Sequence, residues 1–452
     1  MPLLRLALAA ALLEPALALA QSPKLTVPYT IDTLTNGLTL IVHEDSSVPT
    51  VTTNIWFHAG SGDEAPGRTG FAHLFEHLMF MGSEHAEYPA FDRLLEAAGA
   101  SNNGTTDNDR TMYYETGPSN ALPLMLWLDA DRMGWLLPTM DAPKLDLQRD
   151  VVKNERREGV ENRPYGVAED ILSAALYPKN HPYSWPVIGS MADLSAASLE
   201  DVKSFFRKYY APNNAVISIA GDVKAAEVKA LVTKYFADIP RGPAIARPQL
   251  ADFKVRDTAI VAEDRVQLPR LYLQWHAVKS YHEDDAALDV TSYLLSGARN
   301  ARLTSALVYG KEVAKDAFAN NDSKKLDGDF SIVATARAGV PLDSVRAGVD
   351  AELRRLAREG PTARELEQAK NAIEAGFLNR LEFAQAKADQ LNSYYYFTGQ
   401  PDYFQADLDR YRAVTANDVK RAVSTYLMGP RVMLSIVPQG KRELAAKKEI
   451  VQ

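Results

Sequence analysis

The sequence has no cysteine in its 452 residues. Disulfides and thiolate metal sites are thereby excluded, and any metal must be held by His, Asp or Glu. A surplus of positive charge is also missing. The 50 Lys and Arg against 58 Asp and Glu leave a formal net charge of −8, so no nucleic-acid footprint is expected. Beyond the N-terminus there is no run of 18 consecutive apolar residues, so no membrane span is expected in the mature chain. What is present is an ordinary globular composition, 46% hydrophobic and 24% charged. A chain of this length has room for two or three domains with large cores.

The N-terminus reads MPLLRLALAAALLEPALALAQ. Arg5 precedes an Ala- and Leu-rich run that Glu14 and Pro15 interrupt, and Ala18-Leu19-Ala20 before Gln21 fits an A-x-A cleavage site. Residues 1–20 therefore read as a secretory signal peptide. With no cysteines, the mature protein is expected in the periplasm.

Turn and periodicity signals organise the rest. Asn36-Gly37 between alternating apolar residues marks a hairpin over Thr30–His43. Val51–His58 has strand character, while Thr69–Met81 and Pro89–Ala98 have helical period. Asp146–Leu176 is a long charged helical stretch with a break near Pro164. Pro and Gly gather at 239–243, a linker signal. An offset of 217 aligns Ser198–Asp222 with Thr415–Gln439 without gaps, matching Asp201-Val202-Lys203 to Asp418-Val419-Lys420 and Tyr209 to Tyr426. Ser198 and Thr415 stand as N-caps with Asp201 and Asp418 three residues on, a variant of the capping box. The chain thus reads as two copies of one α+β fold, each an antiparallel sheet with helices packed on one face. The first copy spans 21–240, a linker 241–255, and the second copy 256–452.

One apolar run, FAHLFEHLMF, carries three ionisable groups: His73, Glu76 and His77. Polar groups buried without partners cost several kcal/mol, roughly 2–7, so these need a reason. Residues four apart share a helix face, so His73 and His77 can reach one ion, and Glu76 lies at its edge. Zinc takes two such nitrogens and a carboxylate, keeping one position for water. The carboxylate comes from VVKNERREG, where Glu155 and Glu158 are both candidates. In the second copy the 217 offset sets Ala372 against Glu155. Aligning Met81-Gly82 with Ser296-Gly297 sets Leu288, Thr291 and Ser292 against His73, Glu76 and His77. On that register the second copy keeps the apolar helix and drops the ionisable groups, so the fold does not require them. The other histidines, His43, His58, His85, His181, His276 and His282, read as structural or solvated.

His73-x-x-Glu76-His77 is the inverted zinc motif of the inverzincins. With its flanks, AGSGDEAPGRTGFAHLFEHLMFMGS, it resembles the pitrilysin and insulin-degrading enzyme family, which includes the mitochondrial processing peptidases. NNGTTDNDRTMYYE, RDVVKNERRE and HPYSWPVIG extend the likeness over the mature chain, in the half-length form with two homologous domains. The resemblance implies a zinc endopeptidase acting on short or unfolded peptides. His73, His77 and Glu155 would be the ligands, Glu76 the general base, and Asn103 part of a strand that takes up substrate by β-augmentation.

Two positions depart from the family pattern. A second glutamate expected seven residues before Glu155 is Gln148. In the second domain, ARLTSALVYGKEVAK places Val308 and Lys315 where the family carries a substrate-binding Arg and Tyr. The resemblance therefore implies a paralogous partner supplying that pair, a heterodimer rather than a homodimer; Tyr309 and Lys311, nearby but at a different spacing, are the alternative source. The alternative is a non-catalytic interaction or peptide-binding subunit of a related assembly.

Overall fold

The computed structural model describes residues 24–247 and 250–447. The signal-peptide reading of residues 1–20 lies outside them.

Asn36-Gly37, with Gly37 at φ 95°, turns the chain between β1 (Thr30–Thr33) and β2 (Thr39–Glu44). With β3 (Thr50–Phe57), β4 (Ser101–Thr106), β5 (Thr111–Pro118) and β6 (Ala215–Gly221) these form a sheet of order β1-β2-β6-β3-β5-β4. The second half builds β7 (Thr258–Asp264), β8 (Arg270–His276), β9 (Ala314–Ser323), β10 (Gly328–Ala336) and β11 (Val432–Pro438) into a sheet of order β7-β11-β8-β10-β9. Removing β1 makes the two orders equivalent strand for strand. Each sheet is antiparallel except for one pair: β2 runs parallel to β6, and β7 parallel to β11. The offset of 217 holds in space. It carries Ala215–Gly221 onto Val432–Pro438, and both preceding helices, Leu199–Tyr209 and Ala416–Ala422, begin with a reciprocal capping box, Ser198/Asp201 and Thr415/Asp418. The fold is the expected α+β pair of homologous domains, corrected in that each sheet, expected to be antiparallel, contains this one parallel pair.

On one face of each sheet lies an apolar core. Helices Phe71–Leu78, Leu122–Trp135 and Ala225–Phe236 cover the first sheet, and Asp285–Ser292 and Leu342–Glu359 the second. The other face of each sheet is covered by a helix from the opposite half. Ala168–Leu176 of the first half packs Leu172 and Leu176 with Tyr272, Val432, Leu434 and Ile436 of the second sheet. Ala384–Thr398 packs Leu391 and Tyr394 with Ile41, Trp56 and Val216 of the first. This exchange is also polar. Trp56 Nε1 donates to Asp389 at 3.0 Å, Asn392 Nδ2 donates to the Asn54 carbonyl at 2.9 Å, and Ser218 donates to Asn392 Oδ1 at 2.6 Å. The β9–β10 turn adds a second joint: Lys325 N–H donates to Asp109 at 2.8 Å, and Asp327 lies between His181 (3.4 Å) and His276 (2.6 Å).

The break expected near Pro164 is present, and the reading of the second-half helix is corrected. The charged stretch ends its first helix, Ala142–Arg156, in a wide π turn over Arg157–Glu161 and resumes at Ala168. The second-half helix Asp285–Ser292 is not free of ionisable groups: Asp285 and Asp289 stay on it, held by Arg410 at 2.8 Å and by the Tyr411 hydroxyl at 2.7 Å. Both lie outside the three positions that align with the motif, opposite Gly70 and Leu74.

Leu391 is fully buried at the exchange. Leu391→Ala should lower stability by about 2–5 kcal/mol, read as a fall in the urea midpoint of the whole chain.

Candidate metal centre

The helix Phe71–Leu78 is fixed by its apolar side. Phe71, Ala72, Leu74, Phe75 and Leu78 are buried, and the Phe75 ring stacks on Phe205 at 5.6 Å between centroids. That leaves His73, Glu76 and His77 on the opposite side. The helix begins at Gly70, φ 88°, pressed against Gly189; a Cβ on Gly70 would lie 2.7 Å from the Ile188 carbonyl oxygen and 3.1 Å from Gly189 Cα. The glycines of the TGF and VIG stretches are thus two sides of one close backbone contact.

Glu155 arrives from the helix Ala142–Arg156, capped by Asp141, whose side chain accepts from Lys144 N–H at 2.9 Å. Leu145 and Val152 bury one side of it. The next residue, Arg156, is buried; it donates to the Gly189 carbonyl at 2.8 Å and pairs with Asp170. Gly189 therefore touches the start of one helix and anchors the end of the other. Glu155 Oε2 lies 3.7 Å from His73 Nε2 and 3.4 Å from His77 Nε2, and one donor atom from each of the three falls within 4.8 Å of the others. Ligands at roughly 2.0–2.1 Å from a tetrahedral ion lie about 3.3 Å apart, so the donor set fits zinc with little adjustment. Glu158, the other candidate, is exposed on the π turn and is not in this group.

The electrostatics suit a cation. Burial pushes the His73 imidazole down to about 4, with Glu155 opposing, so the ring is neutral and offers a lone pair at pH 7. Contact with His77 holds Glu155 below the ordinary carboxylate range. Burial raises Glu76, while a hydrogen bond pulls it back. That bond comes from Thr106 Oγ1, which donates to Glu76 Oε2 at 2.6 Å.

Thr106 and Gly104 lie on β4, on the face turned to the helix. A Cβ on Gly104 would lie 3.0 Å from Glu76 Cγ, so the strand backbone runs close beside the carboxylate. Sequence reading missed Thr106, although alternation from Gly104 in NNGTT places it on the same face. Asn103 falls on the other face, exposed, with its Oδ1 accepting the Gly104 N–H at 2.9 Å. β4 ends its sheet, so its outer edge has no partner strand among the described residues. Gln148 Nε2 lies 2.8 Å from Met81 Sδ. His85 is paired with Asp131 at 2.6 Å. Past Glu155, a cleft of about 400 Å³ opens between the halves, bordered by Val160, Arg163, Tyr165, Glu169, Tyr272 and Gln274.

The family description "Insulinase (Peptidase family M16)" matches residues 39–189, and "Peptidase M16 inactive domain" matches residues 196–373. The zinc protease PqqE of Helicobacter pylori is 29% identical over 402 residues, 87% of this chain and 89% of that protein. The probable mitochondrial-processing peptidase subunit beta of Arabidopsis thaliana is 24% identical over 91% of this chain and 79% of its own. Among solved structures, a protease from Helicobacter pylori superposes with a TM-score of 0.86 at 26% identity, covering 92% of this chain and 100% of that one. A peptidase M16 inactive domain from Pseudomonas fluorescens shares the fold, with a TM-score of 0.83 at 21% identity, covering 93% of this chain and 99% of that one.

The donor set makes a direct expectation. Elemental analysis of the purified chain should find about one zinc per molecule. Glu155→Gln, which removes one of three protein donors, should weaken zinc binding by more than about 100-fold, measured by competition with a chromophoric chelator.

Proposed function

Starting from the fact that this chain belongs to the insulinase family of peptidases, peptidase family M16, we propose that it is a zinc-dependent endopeptidase of short or unfolded peptides, working in the periplasm. The observation that carries the reading is the meeting of His73, His77 and Glu155 beside a second carboxylate, Glu76, at the open edge of β4. His73, His77 and Glu155 would hold the ion. When bound, zinc supplies Lewis acidity, polarising the scissile carbonyl and acidifying the attacking water. The remaining work falls to the chain itself.

Glu76 accepts the proton of the attacking water and returns it to the leaving amine. Its hydrogen bond from Thr106 keeps one carboxylate oxygen fixed and leaves the other to face the water. An extended substrate adds to β4 through main-chain hydrogen bonds. The Gly104 N–H, which Asn103 covers, is the donor that an arriving strand would take over.

The transition-state oxyanion and the substrate carboxyl side need further donors. Val308 is half-buried in the turn Thr304–Gly310, and Lys315 is exposed at the start of β9; neither supplies a guanidinium or a phenol. A paralogous partner carrying an Arg and a Tyr would complete the site as a heterodimer. A second reading has its own observation. Arg299 Nε donates to the Tyr309 hydroxyl at 3.3 Å on the exposed surface of the second half, a pair that a homodimer could present to the zinc half of the other copy.

Glu76→Gln should retain zinc and lose hydrolysis by about 10²–10⁴-fold in a fluorogenic peptide assay; unchanged turnover would remove Glu76 from the mechanism, and a binding subunit would show no difference. Adding candidate paralogues should raise hydrolysis by the wild-type chain. No rise, together with a loss of activity in Tyr309→Phe alone, would replace the heterodimer with the homodimer.

A further inference from the structure

The short helix that carries His73, Glu76 and His77 starts inside the protein, where water cannot satisfy its first N–H groups. Gly70 at its N-cap has no side chain to do so. The acceptor comes from outside the helix. Glu64 Oε2 accepts the Gly70 N–H at 3.0 Å and Glu64 Oε1 accepts the Ala72 N–H at 2.8 Å. The Phe71 N–H and the Trp185 indole N–H, which donates to the Ser61 carbonyl at 3.0 Å, also face this carboxylate. The loop holding Glu64 is itself tied down: Gly60 N–H donates to Asp63 at 3.1 Å, and the Tyr209 hydroxyl donates to the Asp63 carbonyl at 2.9 Å.

Two opposing influences act on Glu64. Burial pushes the carboxyl well above its ordinary range, and the converging N–H donors pull it back. Among the described residues the hydrogen bonds to its two oxygens come from N–H donors, which oppose the upward push of burial. The carboxyl lies at the positive end of the helix dipole, one turn from His73.

The second half supplies a control. Its helix at the same place, Asp285–Ser292, starts without a remote carboxylate; the Asp285 N–H donates to the His282 carbonyl at 3.1 Å and the Leu288 N–H to the Asp284 carbonyl at 3.0 Å. The fold forms this helix without a Glu64 counterpart among the described residues. The half that has the paired imidazoles is the half that has the carboxylate.

We propose that Glu64 is a positioning residue for the metal centre: it pins both oxygens to the first turn of the helix and so fixes the height and rotation at which His73 and His77 meet Glu155. The proposal rests on the zinc reading above. Glu64 is not one of the three donors and acts through the backbone of the helix that carries two of them. Asp193 supports the same end one residue earlier, accepting from Thr69 N–H at 3.0 Å and Thr69 Oγ1 at 2.6 Å, and so fixes the approach of the chain rather than the helix itself.

The test compares the full chain with Glu64→Gln, Glu64→Asp and, as a stability control, Leu391→Ala. Zinc affinity is measured by chelator competition, melting in zinc-free protein by circular dichroism, and kcat and KM on a fluorogenic peptide. Glu64→Gln places an amide group against the converging N–H donors. It should weaken zinc binding by about 10–100-fold and lower kcat more than it raises KM. Glu64→Asp should recover part of the affinity, and Leu391→Ala should melt earlier with unchanged zinc affinity. Should Glu64→Gln fail to fold, Glu64→Asp decides alone: weakened zinc binding supports the proposal, and wild-type affinity overturns it. Wild-type zinc affinity in Glu64→Gln overturns the positioning role while leaving the metal centre intact. A wild-type chain that takes up no zinc overturns both.

Discussion

Two imidazoles on one helix and a carboxylate on another can share an ion only where the two helices are held within a few ångström of each other. Here that contact is set by backbone. Gly189 presses on Gly70 at the start of the first helix, and its carbonyl accepts from Arg156 at the end of the second. A side chain at either glycine would force the helices apart, and losing Arg156 would release the end of the helix that carries Glu155. The distances of 3.4 and 3.7 Å from Glu155 to the imidazoles follow from this joint.

The same economy of contacts governs the larger architecture. A sheet has two faces, and each half supplies enough helices for only one. The remaining faces are closed by exchange, with Ala168–Leu176 given to the second sheet and Ala384–Thr398 to the first. The segment after Glu155 leads directly into the first of these helices, and Tyr165 on the way donates its N–H to Asp264 at 2.7 Å in the second half. The second half thus lacks the three motif residues yet holds the chain that follows the candidate ligand.

Much of this was legible in the residues. The 217 offset located both capping boxes and the paired strands because capping chemistry and strand alternation are local. The i, i+4 histidines were legible as a metal site because helix geometry alone places them on one face. Other features were hidden for a physical reason. Choosing Glu155 over Glu158 needs the path of the chain after helix Ala142–Arg156, where a π turn carries Glu158 away. Thr106 and Glu64 act on the motif helix from 30 and 6–8 residues away; alternation gives the face of Thr106 but not its partner, and nothing in the spacing marks Glu64. Asp285 and Asp289 escaped notice because they do not occupy the motif positions.

The sequence by itself determined the class of metal donor, since without cysteine only imidazole and carboxylate remain, along with the duplicated α+β plan and the helix face on which the ligands lie. Those are properties of composition and of spacings within one element. The tertiary structure alone decided which carboxylate closes the donor set, which hydroxyl steadies Glu76, and which half covers which sheet. Each of these depends on the crossing of elements distant in the chain, and packing rather than local spacing sets those crossings.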